Sequence, residues 1–137
     1  MNGAHAHLLL NHLPVLGIPI GLLFYAWAVR AQQAATVRFS LLFLIFAALS
    51  AVPVMLTGEP AEHVVKRLPG ILKTAIHAHE DSASISLALS LLLGVSALVA
   101  LVLKAKTLPR TVVAIVGLLT VGSFAYTGYL GGQIRHS

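Results

Sequence analysis

The chain has 137 residues, 58% of them apolar and only 9% charged, with a formal net charge of +5. Soluble domains carry roughly one quarter charged residues, so this balance excludes an ordinary soluble domain and points to an integral membrane protein. Cysteine is absent, which excludes disulfides, iron–sulfur clusters, thiolate zinc sites and the covalent attachment of c-type haem.

Four apolar stretches, about 8–29, 37–56, 83–103 and 111–130, each approach the ~20 residues needed to cross a ~30 Å hydrocarbon layer. They contain no acid, and their only cation is Arg38 at the edge of the second. Leu-rich runs such as 87–103 do not alternate as barrel strands would, so the stretches read as helices. The expected fold class is all-α: a four-helix transmembrane bundle forming one domain over 1–137, with a short interfacial helix between the second and third spans.

The first span reads as a permanent helix, because no Lys or Arg precedes it as a cleaved signal peptide would require. It carries His12 about one turn inside the apolar segment, two prolines that can distort it (Pro14 and Pro19), and Gly17 and Gly21 spaced for close helix contact. The turns at 30–38 and 104–110 hold Arg30, Arg38, Lys104, Lys106 and Arg110 and no acid. By the positive-inside bias they face the cytoplasm. Both termini and the 58–80 connection then lie on the other side, the periplasm if this is a bacterial inner membrane, although Lys66, Arg67, Lys73 and Arg135 oppose that bias.

In the 58–80 connection, Glu59-Pro60 suits a helix start and Pro69-Gly70 a stop, which predicts a short surface helix over 61–68. No breaker follows Ile71 until Pro109, so the third helix should begin about two turns outside the lipid, with His77, His79, Glu80 and Asp81 on its first turns. Ser82, Ser86 and Ser90 recur every fourth residue and mark a contact stripe that His79 shares. After the fourth span, Gly131-Gly132 allows the chain to turn back and lay Arg135 and His136 over the mouth of the bundle.

The two halves resemble one another. Each is a helical hairpin with a histidine near its start, a short basic turn and a second helix ending in Thr-Gly (Thr57-Gly58, Thr127-Gly128). The distance in sequence from His12 to Gly58 is close to that from His79 to Gly128. A parallel repeat about an axis along the membrane normal would bring His12 and His79 across that axis from one another.

All seven histidines (His5, His7, His12, His63, His77, His79 and His136) fall on the side opposite the basic turns, as do the only four acids, Glu59, Glu62, Glu80 and Asp81. A buried histidine needs a partner. Two facing imidazoles can ligate both axial positions of haem iron, so His12 and His79 are the expected ligands of haem b, with Arg135 and His136 capping the cofactor. Glu59, Glu80 or a backbone carbonyl would satisfy His12 equally well. The rival is a site for Zn, Cu, Fe or Mn drawn from His7, His12, His77, His79, Glu59, Glu62 and Glu80. His5, His7 and His63 lie in segments where a solvated histidine is the commoner case.

Asn11-His12-Leu13-Pro14, the stretch from Leu56 to Glu62, His79-Glu80 and the closing Gly-Gly-Gln-Ile-Arg-His together resemble a family of small uncharacterised bacterial four-helix membrane proteins, over nearly the whole chain. The resemblance implies the four-span topology and matches His7, His12, Glu59, Glu62, His79, Glu80, Arg135 and His136 to motif positions. It implies no activity, and His63 and His77 depart from the pattern.

The function expected from sequence is electron transfer by a membrane-embedded b-type haem between a quinol or membrane enzyme and a periplasmic carrier. The alternatives are a non-haem metal protein and a cofactor-free accessory subunit of a larger respiratory or redox complex. A homo-oligomer in membrane lipid is compatible with each. No basic run with interleaved aromatics suggests nucleic acid, and no nucleophile or phosphate-loop motif suggests a stand-alone enzyme.

Overall fold

The computed structural model describes residues 3–67, 70–104 and 107–136, without the side chains of Thr107, Leu108, Arg135 and His136. Six helices follow in order: α1 (Gly3–Arg30), α2 (Ala34–Leu49), α3 (Ala51–Leu56), α4 (Gly58–Val65), α5 (Lys73–Val102) and α6 (Thr107–His136). No strand occurs among the described residues. Four stretches are long and apolar enough to cross a membrane: Gly3–Arg30, Ala34–Leu56, Lys73–Val102 and Pro109–Ile134.

The second of these is one span broken at Ser50. Pro53 cannot donate the backbone bond that would continue α2, and Ser50 Oγ instead donates to the Ala47 carbonyl at 2.6 Å. By contrast α1 runs unbroken through Pro14 and Pro19. α4 is the expected interfacial helix, and it lies against the start of α1, where a Cβ at Gly3 would stand 2.7 Å from the Pro60 carbonyl oxygen. α5 begins at Lys73 and has 30 residues, about 45 Å at 1.5 Å per residue, so it outruns a ~30 Å hydrocarbon layer.

Around the bundle axis the neighbours are α1 with α2, α2 with α5, α5 with α6, and α6 with α1, which sets α1 and α5 on one diagonal. Lipid is as apolar as leucine, so small residues and hydroxyls, rather than hydrophobicity, hold such helices together. Gly17 and Gly21 of α1 do face α2: added Cβ atoms would lie 3.2 Å from Ala47 and 2.7 Å from Leu44. Gly117 of α6 leaves room for Leu22 of α1. The inward side chains divide by depth. Toward the basic turns the core is mainly apolar, with Ile18, Leu41, Leu44, Leu93, Ala97, Ala100 and Val113 around the buried Ser40 and Ser96. Toward the histidines it is hydroxylic, with Ser82, Ser86, Ser90, Thr120 and Thr127 buried.

Both basic turns close through a non-glycine residue in the left-handed region, Gln32 (φ 53°) and Lys104 (φ 51°). α5 therefore ends at Val102 without the glycine or proline that sequence reading looks for. The C-terminal expectation is corrected as well: the backbone does not turn back at Gly131-Gly132 but stays helical to His136. Gly131 is needed for close packing, because a Cβ there would meet the His79 ring at 3.2 Å.

Candidate functional site

His79 enters the bundle from α5, as its place on the serine stripe predicts. Its Nδ1–H donates to the Thr127 carbonyl of α6 at 3.0 Å, and its ring rests on Gly131. Below it the stripe continues as a ladder of hydroxyls between α5 and α6. Thr127 Oγ1 lies 2.6 Å from Ser82 Oγ and 2.8 Å from Ser86 Oγ, and Ser86 Oγ lies 2.6 Å from Ser123 Oγ. One turn deeper Ser90 donates to the Ala48 carbonyl at 3.0 Å, tying α5 to α2.

The corresponding histidine of the first hairpin is His7, not His12. Its Nδ1–H is shared between the Val54 carbonyl and Thr57 Oγ1, each at 3.1 Å, while the Thr57 hydroxyl donates to the same carbonyl at 2.8 Å. His7 thus stands to Thr57-Gly58 as His79 stands to Thr127-Gly128: in each hairpin the histidine of the first helix bonds the end of the second. One sequence offset separates His7 from His79, Gln32 from Lys104 and Arg38 from Arg110. Thr57 and Thr127 are related by a different offset, and the carbonyl bonded is that of Val54 in the first hairpin and of Thr127 in the second, so the two hairpins share an arrangement rather than one register. His7 and His79 sit on the two diagonal helices at the same end of the bundle.

His12 departs from expectation. It is exposed on the outer face of α1, and its Nδ1–H donates to the Leu8 carbonyl of its own helix at 2.6 Å. The partner that a histidine in the apolar layer requires is its own backbone, and five residues of helix rotate His12 well away from the inward face of His7.

The remaining candidates divide between the end of the bundle and its surface. Glu62 is half-buried and pairs with Lys66. The hydrogen bond from Lys66 holds the Glu62 carboxyl below the usual carboxylate range, and the same pairing holds Lys66 above the usual lysine range. His77 is exposed and donates to Glu80 at 3.2 Å. Glu59 is exposed, 3.9 Å from an equally exposed His63. The side chains of Arg135 and His136 lie outside the described residues. Among the described residues no group of three or more His, Asp or Glu is arranged to hold a metal ion.

A carbonyl oxygen only accepts, so both inward histidines carry their proton on Nδ1 and, when neutral, leave Nε2 as a lone-pair donor. A ring fixed through Nδ1–H to a backbone carbonyl is the usual setting of a metal-ligating imidazole, whose tautomer and orientation that bond sets. Sequence reading named His7 only among the candidate ligands of a bare metal ion, favoured a solvated role for it, and assigned the haem to His12; it noted Thr57 and Thr127 only as landmarks. The common offset of His7, Gln32 and Arg38 from their counterparts was the available signal. No family model, no curated protein and no solved structure matches the chain.

Proposed function

We propose that the chain is a membrane-embedded b-type haem protein whose axial ligands are His7 and His79. One observation carries the reading: two imidazoles from opposite hairpins stand at the same end of the bundle, each with Nδ1 bound to a backbone carbonyl. Two nitrogen donors suit haem, because the macrocycle supplies the other four ligands. A bare Zn, Cu, Fe or Mn ion would need further protein donors, and the described residues offer no such group. Lys66, Arg67 and Lys73 flank this end and can pair with haem carboxylates.

When bound, the haem would supply one-electron chemistry; the protein's part is to hold the two rings and keep their Nδ1 protons engaged. In the orientation favoured by the positive-inside bias, the site faces the periplasm of a bacterial inner membrane, between a membrane quinol and a periplasmic carrier. The test is a visible spectrum of the purified protein, reconstituted with hemin if colourless. His7→Ala or His79→Ala should each abolish the low-spin bis-histidine spectrum, and His12→Ala should keep it. A protein that takes up no hemin, or one that loses its spectrum only in His12→Ala, would overturn the assignment.

The second reading, an accessory subunit of a larger membrane complex, is favoured by His12 itself. A polar side chain on the lipid-facing side of a span is costly, and contact with another subunit would offset that cost.

A further inference from the structure

Two polar atoms buried at the opposite, basic end of the bundle have no hydrogen-bonding partner among the described residues: Tyr25 Oη on α1 and Arg110 Nε on α6. They belong to different helices, and neither takes part in the histidine site. Tyr25 is only 3% exposed. Gly117 of α6 receives Leu22 of α1, so the two helices pack together about one turn from Tyr25 and two turns from Arg110. An unpartnered phenol and an unpartnered guanidinium nitrogen on packed neighbouring helices can both donate to one acceptor.

That acceptor does not come from the described residues. Glu59, Glu62 and Glu80 all lie at the far end, as does Asp81 near the start of α5. Every described charge around Tyr25 and Arg110 is positive: Arg30, Arg38 and Lys104. Two helix N-termini, those of α2 at Ala34 and α6 at Thr107, open on the same end, and their dipoles add to the positive potential. A buried guanidinium N–H left without an acceptor is unfavourable, and no described residue supplies one.

We infer that Tyr25 and Arg110 form a binding site for a phosphate oxyanion at the basic end of the bundle, between α1 and α6. The guanidinium fork matches phosphate geometry and keeps its charge at any physiological pH, and the tyrosine hydroxyl supplies a second, neutral donor. Both residues sit about one turn inside the end of their helices, the depth of lipid headgroups for a bundle of this length. The same chemistry would be offered by the phosphodiester of an anionic phospholipid or by free phosphate.

The full chain in detergent, titrated with phosphatidylglycerol or phosphatidylcholine and read by native mass spectrometry, tests the site. Wild type should retain phosphatidylglycerol at least about tenfold better than phosphatidylcholine, the scale of one charge-assisted hydrogen bond. Arg110→Gln should abolish the preference and Tyr25→Phe should reduce it several-fold, whereas Arg30→Gln, at an exposed cation of the same end, should leave it intact. Competition by millimolar inorganic phosphate would identify the free anion as the ligand; its failure to compete would identify the headgroup. Equal retention of the two lipids, or an unchanged preference in Tyr25→Phe, would overturn the proposal. That variant keeps the ring and its packing, so the test stands even if Arg110→Gln does not fold.

Discussion

Adjacent glycines near the end of α6 allow the packing of His79 to be weighed directly. Gly132 has no heavy atom within 4 Å of where a Cβ would stand, whereas a Cβ at Gly131 would lie 3.2 Å from His79 Cε1 and 3.3 Å from Nδ1. Replacing a helical glycine by alanine gains up to roughly 0.8–1.0 kcal/mol, and fraying near the C-terminus lowers that gain about equally at both sites. At Gly131 the ring must also move. It is held by the 3.0 Å bond to the Thr127 carbonyl, so movement loses a hydrogen bond of about 0.5–1.5 kcal/mol. Gly132→Ala should therefore stabilise the protein, Gly131→Ala should leave it near wild type or below, and the two should differ by about 0.5–1.5 kcal/mol by the same hydrogen-bond scale. Unfolding in mixed detergent and dodecyl sulfate micelles measures both. Equal stabilities would mean that His79 does not rest on α6, and the candidate site would lose one of its two rings.

The hydroxyl ladder gives a second contrast: Ser86→Ala removes two bonds between α5 and α6 and should cost about 1 kcal/mol, given about 0.6 kcal/mol for an average interhelical bond in a membrane bundle. Ser84→Ala, at an exposed residue that bonds only the Glu80 carbonyl of its own helix, should be neutral in the same unfolding assay. For α4, the lowered Glu62 and raised Lys66 set the pH window. Glu62 contributes above its ordinary carboxylate value and loses that contribution as pH falls through its lowered one; Lys66 contributes below its ordinary value and loses that as pH rises through its raised one. Amide exchange of α4, corrected for intrinsic rates, should be flat between the two limits and quicken outside them, and Glu62→Gln should remove the pH dependence on the acid side.

Much of the architecture was legible in the residues because it follows from transfer free energy and helical period. Four apolar stretches of sufficient length can only be helices in lipid, and they are helices here. The Pro60 and Pro69-Gly70 signals placed a short helix in the connection but three residues late, since α4 runs Gly58–Val65 with Pro60 inside its first turn, and the Ser82, Ser86 and Ser90 period located the buried face of α5. The tail was misread because glycine serves both turns and close approach, and at Gly131 the neighbour that decides between them is His79, 52 positions earlier in the chain.

Histidine chemistry shows the boundary most clearly. Sequence alone determined that the histidines and acids gather at one end of the bundle and the cations of the short turns at the other, since hydropathy sets the spans and the spans sort the loops. It did not determine which histidine points inward. Depth in an apolar segment argued for His12, yet inwardness is set by azimuth, and azimuth depends on where neighbouring helices pack. Only the tertiary structure turned His7 toward Val54 and Thr57, turned His12 outward onto its own Leu8 carbonyl, and left buried polar atoms of Tyr25 and Arg110 without partners among the described residues. A helix's period is a local property of its backbone, whereas the direction that the period faces is fixed by contacts with residues far away along the chain.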